Sequence, residues 1–65
     1  MKVHVNGDPR ATCATTVADL LAELGVDPAR VAVELERTIV AREAFETTPL
    51  AEDARVEVVR FVNGG

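Results

Sequence analysis

Residues 16–26 read Thr-Val-Ala-Asp-Leu-Leu-Ala-Glu-Leu-Gly-Val, a pattern that predicts a helix with a capping residue at each end. Thr16 has the hydroxyl of an N-cap, and Asp19 places a carboxylate near the positive end of the helix dipole. Gly25 supplies the left-handed residue that ends a helix. The apolar residues recur at i, i+3, i+4 and i+7, so one stripe of the helix faces the core: Val17, Leu20, Leu21 and Leu24.

Two short segments before this helix have the pattern of a hairpin. Residues 1–6 alternate between apolar and polar side chains, as in a half-buried strand. Asn6-Gly7 follows at once, and this pair is the strongest short hairpin signal because both residues tolerate positive φ. The next strand, roughly residues 10–14, begins at or near a sheet edge, because Pro9 lacks a backbone donor.

Three more strands are predicted after the helix. Residues 30–35 alternate again, and residues 38–41 form a short β-branched run that we expect to pair with them. Residues 43–49 have no clear period, and Leu50 is an isolated apolar residue that we expect to close one end of the core. Residues 55–61 form the last strand.

The order of these elements predicts an α+β fold. One helix must cover one face of a mixed sheet of four to five strands, because no other element is available to cover it. The two-residue turn makes the first two strands antiparallel, and the last strand fits best in the middle, beside the first. This is a ubiquitin-like β-grasp arrangement. We expect a β-grasp domain over residues 1–61 and a flexible Gly-Gly tail over residues 62–65.

The composition excludes some classes of function. The chain has 65 residues, a formal net charge of −4, no Trp or Tyr and only two Phe. Few aromatic residues and a negative charge argue against a module that stacks on bases or binds a polyanion. They favour a protein partner with a basic face. No apolar run approaches about 18 residues and no export signal is found, so we expect a cytoplasmic protein that binds neither membrane nor nucleic acid.

The isolated reactive residues have no predicted role. Cys13 is the only cysteine, which excludes a disulfide framework and a cysteine zinc site. Without a nearby His or Lys cluster, we interpret it as an inert, small, buried apolar residue. His4 lies on the polar side of the first strand without a partner, so we expect it to be solvated. The sequence contains no nucleophile–base pair and no metal-ligand cluster, so we expect no catalysis by the isolated chain.

The last strand and the residues after it carry the functional signal. Val59 and Phe61 lie on the sheet face away from the helix, where they either pack on each other or under the loop around Phe45, or form with Val62 a docking patch for a partner. Asn63, Gly64 and Gly65 follow. Two glycines add nothing to a core, so we expect a slim, mobile arm that presents the Gly65 carboxylate to another protein's active site.

Taken together, these residues resemble the ThiS family of small sulfur-carrier proteins, which are β-grasp domains of thiazole biosynthesis. No single stretch is specific, but their joint order across the whole chain is. The matching stretches are Val3-His4-Val5-Asn6-Gly7, Thr16-Val17-Ala18-Asp19-Leu20-Leu21, Val31-Ala32-Val33-Glu34, Ile39-Val40, Thr48-Pro49-Leu50, Val56-Glu57-Val58-Val59 and Gly64-Gly65.

The resemblance implies a chemistry for the tail. A ThiF-type adenylating enzyme, which itself binds ATP and Mg²⁺, would bind the domain and adenylate the Gly65 carboxylate. Sulfur from a donor such as a cysteine desulfurase would convert the adenylate into a thiocarboxylate, which would give its sulfur to a ThiG-type thiazole synthase. The chain would be a carrier and co-substrate without a cofactor of its own. A MoaD-like molybdopterin carrier, a tRNA-thiolation carrier, a ubiquitin-like protein modifier and a plain binding module remain open as alternatives.

The sequence departs from the family pattern at three positions. Glu36-Arg37 stands where an Asn-Gly-type turn is common, and without a glycine we expect this turn to adopt another geometry. Asp53-Ala54 stands where a Gly-Asp pair is common, and we expect the turn to survive because aspartate tolerates left-handed φ. Ala41 occupies a position that is often proline. All three lie far from the tail.

Overall fold

The computed structural model describes residues 1–61, which form a five-stranded sheet with one helix packed on one face. The main elements are β1 (Lys2–Val5), β2 (Asp8–Ala11), α1 (Val17–Leu24), β3 (Val31–Leu35), β4 (Thr38–Val40) and β5 (Arg55–Arg60). Short 3-10 turns cover Pro28–Arg30 and Arg42–Ala44. The strand order is β2-β1-β5-β3-β4, with β1 and β5 parallel and all other neighbours antiparallel.

This topology confirms the predicted mixed β-grasp sheet, with the last strand central and beside the first. The predicted bounds of the second strand were wrong at both ends. Because the turn pairs Val5 with Asp8, β2 begins two residues before the predicted start and already includes Pro9. After Ala11 the chain leaves the sheet for the helix. β5 ends at Arg60, one residue before the predicted end.

The helix has the predicted ends. The Thr16 hydroxyl accepts a hydrogen bond from the Asp19 backbone N–H at 3.2 Å, and Gly25 adopts φ 73°. The Val26 N–H donates to the Leu21 carbonyl at 3.2 Å, as in a Schellman motif. Three residues of the apolar stripe are buried and the fourth, Leu24, is partly buried. The helix therefore covers one face of the sheet, as its stripe predicts.

Residues 43–50, which include the segment without a clear period in the sequence, form hydrogen bonds with the start of the helix. The Ala18 N–H donates to the Phe45 carbonyl at 2.8 Å, and the Leu50 N–H donates to the Thr15 carbonyl at 2.9 Å. Phe45 is only 3% exposed, and Leu50 joins it in the core as predicted. Because the first N–H groups of a helix lack partners within it, this segment supplies partners from outside. The buried residues are Val3, Ala14, Val17, Leu20, Leu21, Val31, Val33, Phe45, Leu50, Ala54 and Val56.

A hydrogen-bonded cluster joins the helix to the segment after β2. The buried Thr12 hydroxyl donates to Glu23 Oε1 at 2.6 Å, and the Cys13 N–H donates to Glu23 Oε2 at 3.1 Å. Hydrogen bonding from the Thr12 hydroxyl is the main cause that lowers the pKa of the Glu23 carboxyl. Cys13 itself is exposed, so its interpretation as a buried residue was wrong. Its neighbours Thr12 and Ala14 point inwards, which leaves Cys13 facing outwards.

Both two-residue hairpin turns have positive φ at their two central residues. Asn6 and Gly7 adopt φ 51° and 88°, as the sequence predicts. Glu36 and Arg37 adopt φ 52° and 68°, so the expectation of a different geometry without glycine was wrong. The pairing of Leu35 with Thr38 leaves only two residues for the connection, and this length selects a turn with positive φ. Asp53 adopts φ 65°, which confirms the predicted tolerance at the turn before β5.

Within residues 1–61, no helix has the length and apolar character needed to cross a membrane.

Candidate functional site

The face of the sheet that the helix leaves open carries the candidate site. The register places alternate residues of β5 on it, and Val59 lies opposite Ala32 of β3. Further along, Glu57 lies opposite Glu34, which in turn lies opposite Ile39 of β4. Successive side chains of a strand alternate between faces, so these residues share one surface that points away from the helix.

One end of this face is apolar. Ile39 is 75% exposed, Val59 60% and Phe61 55%. We call these three residues with Ala32 the open-face patch. Val59 and Phe61 were predicted on this face from the sequence, whereas Ile39 and Ala32 were missed. The register of β3 with β4 supplies the missing signal, because it pairs Ile39 with Glu34, which lies on the open face.

Phe61 lies beside the Phe45 loop and is still exposed. Its N–H donates to the Arg30 carbonyl at 2.8 Å, which continues the β3–β5 ladder by one residue. Its side chain lines a cleft of about 310 Å³ together with Ile39 and the buried Phe45, so it does lie beside the Phe45 loop. More than half of it nevertheless stays accessible. Docking through Val59 and Phe61 therefore remains a prediction, and their exposure leaves them available for it.

The other end of the open face is charged. A second cleft, of about 400 Å³, is lined by His4, Gly7, Arg37, Arg55 and Glu57. We expected His4 to be solvated and without a partner, and this expectation was wrong. Its Nε2 lies 3.3 Å from Asp53 Oδ1, an atom that also lies 3.5 Å from Lys2 Nζ. The register that places β1 beside β5 brings the turn before β5 to His4, a contact that strand alternation alone does not reveal.

The predicted tail residues Val62, Asn63, Gly64 and Gly65 lie outside the described residues. Their predicted roles in docking and as the modified carboxyl end are untested by the geometry. In the part of the chain that the structure describes, no three His, Cys, Asp or Glu side chains converge as a metal site would require.

Curated sequences similar to the chain are named as thiazole synthases. The chain is 44% identical to a thiazole synthase of Magnetococcus marinus and 39% identical to one of Paramagnetospirillum magneticum, each over 66 aligned residues. The alignments include the whole chain but only 20% of each relative. The chain thus corresponds to a small part of these longer proteins.

Two solved structures match this chain over its whole length. A crystal structure of the thiamine biosynthesis protein ThiS from Geobacter metallireducens superposes with a TM-score of 0.84 at 35% identity, covering all of both chains. A solution structure of a thiamine biosynthesis protein from the same organism gives a TM-score of 0.80 at 36% identity and covers 88% of that chain. These neighbours have the same β-grasp architecture. The ThiS family model matches residues 3–65, nearly the whole sequence, and the chain therefore belongs to the ThiS family.

Proposed function

We propose that the chain is the sulfur carrier of thiamine thiazole synthesis, with Gly65 as the residue that carries the sulfur. The observation that carries this proposal is the family match, which extends through the Gly64-Gly65 pair. The structures from Geobacter metallireducens, named for thiamine biosynthesis, support the pathway over the molybdopterin and tRNA-thiolation alternatives. The described domain supplies a folded body, and the tail supplies the reacting group.

The chemistry explains why the tail consists of small residues. A carboxylate is a poor electrophile, so the Gly65 carboxylate first attacks the α-phosphate of ATP, with loss of pyrophosphate. The outer sulfur of a cysteine persulfide then attacks the adenylate carbonyl carbon and displaces AMP, which gives an acyl disulfide. A second thiol cleaves the S–S bond of this acyl disulfide, leaves the thiocarboxylate on Gly65 and forms a disulfide with the donor cysteine. The adenylate must be shielded from water, so the reaction belongs in a narrow site of a ThiF-type enzyme that holds ATP and Mg²⁺. An arm without Cβ atoms at its last two positions fits such a site.

The open-face patch supplies the binding energy that the tail cannot. Gly64 and Gly65 have no side chains to recognise, so specificity must come from contacts on the domain. Ile39 of β4, Val59 of β5 and Phe61 directly after β5 contribute accessible apolar side chains to this patch. Apolar side chains of this size, buried at the centre of an interface, are typical binding anchors. We assign the patch to the adenylating enzyme.

Thiazole synthase is the proposed acceptor of the sulfur. Two relatives with that name contain a region similar to this chain within a longer polypeptide. A covalent link of this kind keeps a carrier at high effective concentration near its acceptor. A separate carrier would reach the same acceptor through its folded surface. The carrier itself would contribute no general base and no metal.

An appended residue tests the proposal most directly. The chain is mixed with a ThiF-type enzyme and ATP–Mg²⁺, and pyrophosphate release is measured. We expect release with the wild-type chain and none with a variant that carries one extra alanine after Gly65, because the reacting carboxylate is displaced. With a sulfur donor added, intact mass should show one oxygen replaced by sulfur. A ladder of heavier conjugates in cells would instead support the protein modifier.

The two phenylalanines provide a matched test of docking. Phe61→Ala is expected to weaken binding to the adenylating enzyme by about tenfold or more with little change in melting temperature, because Phe61 is an exposed anchor. Phe45→Ala removes the same side chain from the core and should lower the free energy of unfolding by about 3–5 kcal/mol. Calorimetry and binding titration measure both. A large stability loss in Phe61→Ala with unchanged affinity would assign Phe61 to the core.

A further inference from the structure

The central strand β5 extends beyond the end of its parallel neighbour. The pairing of β1 with β5 stops at Val5 opposite Val56, because the chain reverses at the Asn6-Gly7 turn. The Asn6 N–H donates to the Val56 carbonyl at 2.9 Å, so Val56 directs its backbone groups towards β1. Backbone direction alternates along a strand, so Val58 directs its N–H and C=O to the same side, where β1 has ended.

The Asn6 side chain takes the place of the missing strand. The Val58 N–H donates to Asn6 Oδ1 at 2.8 Å, and Asn6 Nδ2 donates to the Val58 carbonyl at 3.2 Å. One side-chain amide thus pairs both backbone groups of a residue 52 positions away. We call these two hydrogen bonds the Asn6 clamp. They imitate the exchange that a further residue of β1 would make.

Several residues at position 6 would suit the turn, but the two hydrogen bonds of the clamp require asparagine. Asp-Gly and Gly-Gly are also good two-residue turns, because all three pairs tolerate positive φ. Aspartate, however, has no side-chain donor and would place a second oxygen against the Val58 carbonyl. Glycine has neither group. Only asparagine combines the φ of 51° found at Asn6 with a donor and an acceptor on a short side chain.

The clamp lies directly before the residues that the proposed function uses. Val59 follows Val58, and the Phe61 N–H donates to the Arg30 carbonyl on the β3 side. We infer that Asn6 is a positioning residue for adenylation: it fixes the last residues of β5, and so sets the placement of Val59 and Phe61 and the point from which the tail begins. This inference rests on the proposed function, since it names how the same site is held.

Two variants and one control test this role. Both variants keep a residue suited to the turn. Asn6→Gly removes both hydrogen bonds of the clamp, whereas Asn6→Asp keeps the acceptor and replaces the donor with a second oxygen. Thr16→Ala removes the helix-cap hydrogen bond between Thr16 and Asp19, in which no residue of β5 takes part, and controls for a general loss of stability. Each full-length variant is assayed with the ThiF-type enzyme for pyrophosphate release over a range of chain concentrations. Amide hydrogen exchange at Val58 is measured in the same proteins.

A positioning role predicts changes in kcat/KM and in Val58 exchange that a general loss of stability does not produce. We expect both Asn6 variants to lower kcat/KM for pyrophosphate release by about tenfold, with faster exchange at Val58, because a misplaced tail reaches the nucleotide less often. Thr16→Ala should lower the melting temperature but leave kcat/KM and Val58 exchange near the wild-type values. If Asn6→Asp does not fold, Asn6→Gly carries the test.

The outcomes separate this inference from the proposed function. Wild-type kcat/KM in Asn6→Gly, or an equal loss in Thr16→Ala, overturns the positioning role and leaves the carrier function intact. If the enzyme releases no pyrophosphate from ATP in the presence of the wild-type chain, the proposed function is overturned, and the positioning role falls with it.

Discussion

The two hairpin turns of the sheet have the same backbone geometry, but their residues differ in how well they tolerate positive φ. Asn6 and Gly7 adopt φ 51° and 88°, and Glu36 and Arg37 adopt φ 52° and 68°. The first pair is among the best suited of all dipeptides to this geometry, whereas the second has no intrinsic preference for it. The left-handed region costs a residue with an ordinary side chain about 1–2 kcal/mol. Local sequence therefore favours the first turn by itself, whereas the second turn depends on tertiary contacts.

The contacts that hold the second turn lie on β5. The Glu36 N–H donates to the Arg55 carbonyl at 2.9 Å, and the Arg55 N–H donates to Glu36 Oε2 at 2.8 Å. Together with the β3–β4 pairing, these bonds keep Glu36 in its unfavourable conformation. Each turn thus also pairs with a residue of β5: Asn6 with Val58, and Glu36 with Arg55.

Loss of the asparagine side chain should have the largest effect. Asn6→Ala removes both bonds to Val58 and places an ordinary residue at positive φ, so we expect the free energy of unfolding to fall by about 3 kcal/mol. Asn6→Gly keeps the left-handed backbone and should lose about 2 kcal/mol, the share of the two hydrogen bonds. Denaturant unfolding measures both. Equal losses would mean that the turn conformation contributes nothing beyond the clamp.

Exchanging residues between the turns should have intermediate and opposite effects. Gly7→Arg should lower the free energy of unfolding by about 1–1.5 kcal/mol, and Arg37→Gly should raise it by up to about 1 kcal/mol. Among the described residues, no atom outside Gly7 and its two chain neighbours lies within 4 Å of the position that a Cβ would take at Gly7, so the loss reports backbone strain rather than a clash of the Cβ. Thermal unfolding of the two variants checks this. A destabilised Arg37→Gly would show that the Arg37 side chain contributes more than its strain costs.

Removal of the Glu36 carboxylate should have the smallest effect. Glu36→Ala loses the hydrogen bond from the Arg55 N–H, which is exposed, and should cost about 0.5–1 kcal/mol. Glu34→Ala is the matched control, because Glu34 is also exposed on β3 and lies opposite the like-charged Glu57. Its removal should leave stability unchanged or slightly higher. Chemical denaturation of the pair decides whether the bond to β5 supports this turn.

The sequence predicts the parts of the fold that depend on local patterns. The helix with its Thr16 and Gly25 caps, the first hairpin and the central last strand all follow from spacing and residue type. The start of β2 was missed because pairing across the turn, rather than the polar residue Asp8, determines it. The role of Phe45 was missed because an irregular segment has no period that indicates which side chain is buried.

The candidate site could be predicted where it depends on alternation along one strand. Val59 and Phe61 follow from the pattern of residues 55–61, and both are exposed. Ile39 and Ala32 join them only through the registers of β3 with β4 and β5, which no single strand encodes. The pairing of His4 with Asp53 and of Asn6 with Val58 likewise links residues far apart in sequence. Such contacts depend on the assembled sheet.

Pro9 has a consequence for how copies of this protein meet. It lies on edge strand β2 opposite His4, in a pair that does not exchange backbone hydrogen bonds, so its missing N–H is on the outer side of the sheet. If a second molecule paired its own strand with β2, one backbone N–H donor would be missing at Pro9. At the opposite edge, β4 offers only three residues. Pairing of strands between two copies is therefore disfavoured at both edges of the sheet. This favours binding through the open face of the sheet, where a partner can recognise side chains.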